Sequence, residues 1–169
     1  EQYVSILAGY GGSAAVMSNV LDVGWRYREH PRRLLTYKLG GNAELAPTPP
    51  PDLKVRALDD PSLTIADADV ALGKAMYTMQ CSSCHGINAR GAGGPGPDLR
   101  ESPLALTVAG MKSVLKDGAL MQNGMPRFEY YTDDQVRQVH AYIRSAAREA
   151  IALGGREPEK NGPVSATPR

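Results

Sequence analysis

Cys81–Ser82–Ser83–Cys84–His85 is the stretch on which the reading of this chain turns. Two thiols separated by two residues can reach the two vinyl edges of one porphyrin and form thioethers with them. The residue after the second thiol is then held beneath the iron, and an imidazole there supplies a nitrogen ligand. Cys81 and Cys84 are the only two cysteines in 169 residues, so both are consumed. Two other chemistries use the same pair. A redox dithiol wants a βαβ setting, which the flanking sequence does not offer. A zinc site wants further Cys or His at ligand spacing, and the remaining histidines, His30 and His140, do not supply it. The spacing therefore predicts covalent haem, with Cys81 and Cys84 as its anchors and His85 on the iron.

The opposite iron ligand has to come from elsewhere. Of six methionines, Met76 and Met79 precede the motif on the histidine side, and Met17 lies far upstream. Met111, Met121 and Met125 remain, and Asn123–Gly124–Met125–Pro126 is the most suggestive context. Glycine permits close backbone approach, and proline stiffens the chain and removes a donor from an apolar crevice. A soft thioether suits iron(II) and raises the reduction potential. Met125 is the chosen candidate; for Met111 and Met121 core filling is the commoner role. A haem histidine usually donates its second ring proton to a carbonyl or carboxylate, and Pro97 in Gly96–Pro97–Asp98–Leu99 is a candidate for that carbonyl. Arg100 and Arg127 are candidates to neutralise haem propionates, with an ordinary solvated arginine as the alternative for each. His140 reads as a helix-edge histidine and His30 as a surface-loop one.

Outward from the motif, four segments emerge. Residues 66–150 carry helical patterns: one from Asp67 or Asp69, either of which could be its cap, to about Gln80, a short one over Val108 to Lys116, and one from Thr132–Asp133–Asp134 to about Ala150. Val136, Val139, Ile143 and Ala147 mark the buried stripe of the last. Residues 86–105 between them read as Gly- and Pro-rich loop. Residues 46–65, with Pro47, Pro49, Pro50, Pro51 and Pro61, read as an extended, semi-rigid connector. Residues 1–45 hold two β-prone runs, Tyr3 to Ala8 and Leu34 to Leu39, ended by glycines. Two strands are not a stable unit alone, so something must cover them. Residues 151–169 read as a mobile tail.

A net charge of +1 favours neither nucleic acid nor an anionic membrane as partner. No apolar run approaches the length of a bilayer span. The chain begins with Glu1 rather than Met, which is expected of a processed, excised or partial product.

A helix before Cys81, the Gly124–Met125–Pro126 run and a final amphipathic helix resemble class I cytochrome c over about residues 66–150. That resemblance implies a mainly α fold around one covalent haem. It also implies a crossing of the first and last helices, where Gly73 and Tyr77 would meet Val139 and Tyr142. The flanks add a more specific likeness. Glu1 to Gly12 resembles the closing part of the propeller in PQQ-dependent quinohaemoprotein alcohol dehydrogenases, and Arg32 to Gly41 resembles its last strand. Pro97–Asp98–Leu99–Arg100 and Gly124–Met125–Pro126–Arg127–Phe128 look like the cytochrome of the same group. Their PQQ, calcium and catalytic aspartate belong to an eight-bladed propeller nearly all of which lies outside these residues, so no catalytic residue, PQQ ligand or calcium ligand is assigned here.

The resemblance implies electron transfer: from PQQ in the propeller domain, through this haem, to a small periplasmic carrier or a membrane acceptor. By itself the chain is not expected to oxidise alcohols. Haem attachment on the outer side of the bacterial inner membrane implies a periplasmic location. Three rivals remain. One is a free-standing periplasmic carrier. Another is an enzyme or sensor haem with an open sixth position. The last is a cytochrome with its own hairpin packed on it.

Overall fold

The computed structural model describes residues 1–9, 31–50, 52–91 and 96–155. The expectations for Gly11, Gly12, Met17, His30 and the tail beyond residue 155 lie outside these residues. Strand β1 (Tyr3–Ala8) pairs antiparallel with β2 (Arg33–Lys38), Tyr3 opposite Lys38 and Ala8 opposite Arg33. This register puts Val4, Ile6, Leu35 and Tyr37 on one face, since side chains alternate along a strand. Tyr3, Val4, Ile6, Leu7, Leu34 and Tyr37 are all exposed. Among the described residues, the pair therefore buries no core of its own.

The connector is less independent than its prolines suggest. Arg33 reaches back from β2 to the Ala46 carbonyl and the Thr48 hydroxyl. Beyond Pro51 the chain is laced to the helical body. Val55 is buried and donates its N–H to the Gly155 carbonyl at 2.8 Å. Arg56 N donates to Glu101 Oε1 at 2.6 Å, and Leu58 N to Arg100 O at 2.9 Å. Proline stiffness governs only its first part; side chains and backbone donors further along dock it.

Helix α1 (Asp67–Gln80) starts from Ala66, which is extended and gives no side-chain cap bond. Capping by Asp67 or Asp69 is thus corrected: both lie inside the first turn, where their charge complements the exposed N–H groups instead. Cys81 closes α1 by donating to the Tyr77 carbonyl. A single turn, α2 (Ser82–His85), follows, and Gly86 ends it at φ 70°. Short 3-10 turns at Ile87–Ala89 and Leu104–Leu106 punctuate the expected loop. Thr107 caps α3 (Val108–Leu115), accepting from Gly110 N at 3.0 Å. A reciprocal Thr132–Gln135 capping box starts α4 (Asp133–Ala152). Among the described residues no helix is long and apolar enough to cross a membrane.

The core forms where α4 crosses α1. Val136, Val139, Ile143 and Ala147 are buried along α4. Gly73 is the contact point: a Cβ there would collide with the Gln138 carbonyl and lie 3.0 Å from Val139 N. Only glycine lets the two backbones come this close. One turn on, the Tyr77 and Tyr142 rings meet at 5.0 Å, tilted by 53°. Fusing this crossing to the turn that carries the thiols fixes where Cys81, Cys84 and His85 stand.

Candidate functional site

Cys81 lies at the C-terminus of α1, and Cys84 and His85 lie on α2 directly behind it. Both thiols are free. Cys81 is buried, and burial, reinforced by the neighbouring Cys84, pushes its thiol up to about 11. The turn is held from inside: the fully buried Tyr77 hydroxyl donates to Gly86 O at 2.8 Å and lies 3.2 Å from His85 O.

His85 is buried, with Nδ1 3.0 Å from the Pro97 carbonyl. A carbonyl only accepts, so Nδ1 carries the proton and Nε2 keeps its lone pair. Burial lowers the imidazole pKa, with the Pro97 bond opposing it. Gly96 makes the geometry possible, because a Cβ there would stand 2.6 Å from Nδ1 and 2.7 Å from Cε1. Gly96 N also donates to Cys84 O at 3.1 Å, and Leu99 N to Ala89 O at 2.9 Å.

Met125 is half-buried and packs against the apolar cluster that contains Cys81, Met111, Leu115, Phe128 and Tyr131. It follows the 3-10 turn Met121–Asn123 and Gly124, which is left-handed at φ 87°. Phe128 N donates to Leu115 O at 2.6 Å, tying the chain after Met125 to the end of α3. Gln80, the residue before Cys81, receives the hydroxyls of Tyr130 at 2.8 Å and Tyr131 at 2.9 Å. Met111 is in the core, whereas Met121 and Met79 are exposed.

The two arginines differ. Arg100 is buried, and its Nε and one terminal nitrogen donate to Asp98 at 3.0 and 2.7 Å. Arg127 is exposed, donating from Nε to the Lys116 carbonyl at 2.7 Å and pairing with Glu129 at 3.2 Å. His140 is not at the helix edge: it is buried, with Nε2 3.1 Å from Leu106 O. The turn before α3 closes over that side of α4, which a helical stripe cannot foretell. Arg144, fully buried on α4, was not singled out by its sequence context. An arginine one residue after the apolar Ile143 reads as a solvated position, and only the packed loops reveal otherwise.

These side chains suit a covalent haem. The site offers two free thiols on one turn, an imidazole whose Nδ1 is engaged and whose Nε2 is available, a nearby thioether, and an apolar wall. Among the described residues, no three or more His, Cys, Asp or Glu side chains gather as a metal site.

The model of the family described as cytochrome c oxidase, cbb3-type, subunit III matches residues 68–143. Quinohemoprotein alcohol dehydrogenase ADH-IIG of Pseudomonas putida is 36% identical over 151 residues, which are 88% of this chain and 20% of that protein. Lupanine 17-hydroxylase [cytochrome c] of a Pseudomonas species is 32% identical over 154 residues, 87% of this chain and 21% of that one. The solved structure of ADHIIG from Pseudomonas putida superposes with a TM-score of 0.56 at 34% identity, covering 90% of this chain and 21% of that one. The chain thus spans about one-fifth of the length of these relatives.

Proposed function

From a chain that carries a cytochrome c domain, and that over most of its length resembles the C-terminal part of quinohaemoprotein alcohol dehydrogenases, we propose the following role. It takes electrons one at a time from PQQ in a propeller domain and delivers them to a small periplasmic carrier or a membrane acceptor. Electron transfer by haem c follows from the domain itself; the donor, the acceptor, the number of haems (one) and the periplasmic location are the proposal. PQQ and calcium belong to the propeller, not to these residues. The observation that carries it is the β1–β2 pair. Its apolar side chains are exposed, as fits strands that complete a larger sheet.

When bound, the haem supplies one reversible electron at its iron. Cys81 and Cys84 would hold it by thioethers. His85 would offer its Nε2 to the iron, and Pro97 O keeps that imidazole oriented and its Nδ1 protonated. Met125 would offer its thioether to the same iron. Arg127, at the surface, offers positive charge to a propionate. Arg100 is a weaker candidate, because it is buried and paired with the equally buried Asp98.

The test is to mix the haem-loaded chain with an alcohol-reduced, PQQ-loaded dehydrogenase that lacks its own cytochrome. Two chains are expected to be reduced per alcohol consumed. Ready reduction by ascorbate with none by that dehydrogenase would instead favour a free-standing carrier. The sixth-ligand assignment has its own check. The reduced Met125→Ala protein is expected to bind carbon monoxide without denaturant while the unaltered protein does not. Binding by both would revive an open iron site.

A further inference from the structure

Arg144 carries a charge into the interior; Asp59 lies near enough to stabilise that charge, but among the described residues its terminal nitrogens donate to carbonyls. One terminal nitrogen donates to Leu58 O at 2.6 Å and the other to Leu99 O at 2.8 Å. The first carbonyl belongs to the connector. The second belongs to the loop whose Pro97 carbonyl holds His85 Nδ1. The same two segments are joined again where Leu58 N donates to Arg100 O. Burying a guanidinium is costly, and an apolar side chain of similar volume often serves stability as well or better. What the fork supplies that an apolar side chain cannot is a fixed spacing between two carbonyls from different segments.

We propose that Arg144 is a positioning residue that couples the connector to the imidazole of His85 and thereby sets the reduction potential of the haem. The proposal rests on the reading of His85 as the iron ligand. The coupling runs from Leu58 through Arg144 to Leu99, then two residues back along the loop to Pro97, and across the hydrogen bond to the ring. A firm Nδ1–H···O=C bond makes Nε2 a stronger donor, which favours iron(III). Loosening the loop weakens that bond and raises the potential. Any pull on the connector from the strand pair would reach the iron by this route.

Arg148 is the comparison: it and its partner Asp59 act electrostatically on Arg144, but it makes no bond to the Pro97 loop. It also ties the connector to α4, donating to Asp59 Oδ2 at 2.8 Å, Asp60 O at 3.1 Å and Leu63 O at 2.6 Å. None of these partners is in the loop that carries Pro97.

The experiment is a redox titration of the haem-loaded full chain as Arg144→Lys and Arg148→Lys, each with a melting curve. Lysine keeps the charge, so the field at the iron is nearly preserved, but it cannot fork between two carbonyls. Both variants are expected to melt earlier. Only Arg144→Lys is expected to raise the reduced-to-oxidised ratio at fixed ambient potential, by about threefold, which is about 30 mV for one electron at 59 mV per tenfold. If Arg144→Lys does not fold, Leu58→Pro, which removes the N–H given to Arg100 O, is expected to shift the potential the same way. Unchanged potential in the folded variants, or equal shifts at Arg144 and Arg148, overturns the coupling. A wild-type protein whose absorption spectrum shows no histidine-ligated covalent haem would instead sink the reading of the site itself.

Discussion

A chain with both Cys81 and Cys84 changed to alanine is expected to yield no haem-staining band after denaturing electrophoresis, while the unaltered chain stains at its own mass. Both proteins must be made in a host that matures c-type cytochromes. Each single variant is expected to keep one thioether and to stain at reduced yield. The reason is geometric. Cys81 closes α1 and Cys84 stands on the single turn α2, so one rigid stretch presents both thiols with His85 beside them. The double variant is also expected to melt at lower temperature. Cys81, Met111, Leu115 and Phe128 form an apolar wall, and a prosthetic group that binds only the folded state stabilises it by mass action. Haem that survives denaturation in the double variant would refute covalent attachment through these thiols. So would an unaltered chain that carries zinc and no haem.

The second large effect is expected at Gly73→Val. A Cβ at residue 73 would meet the Gln138 carbonyl and the backbone around Val139, and backbone cannot swing aside as a side-chain tip does. The helices must separate, opening the packing of Tyr77 on Tyr142. Overpacking of this kind costs about 3 kcal/mol. For a domain of this size that lowers the melting temperature by about 12 °C or more. Ala75→Val, at an exposed position of the same helix, measures the β-branched penalty alone, well under about 1 kcal/mol. Equal melting temperatures for the two variants would mean that Gly73 does not lie at the crossing. Because α1 runs directly into Cys81, the Gly73 variant is also expected to attach haem in lower yield.

Much of the helical architecture was legible before any coordinates. The apolar positions 136, 139, 143 and 147 follow the helical period, and Thr132–Asp133–Asp134 marks a helix start, so α4 could be read from local pattern. The strand pair was readable for the same reason. The cap of α1 was misplaced because acidic residues are favourable both as caps and within the first turn, and composition cannot separate the two roles.

The sequence by itself determined what short spacing controls: two thiols and an imidazole within one five-residue run, a set suited to covalent haem, and the likeness that ties such a domain to quinohaemoprotein dehydrogenases. Those readings need only a few adjacent residues, whose relative geometry local backbone preferences nearly fix. The tertiary structure decided what depends on segments distant along the chain. It showed that residues 52–65 dock instead of hanging free, that His140 is covered by the turn before α3, and that a buried Arg144 spans two carbonyls of segments 41 residues apart (Leu58 and Leu99). An arginine looks the same in a sequence whether it faces water or carbonyls. Only packing removes the water, and only then does its fork become a structural link.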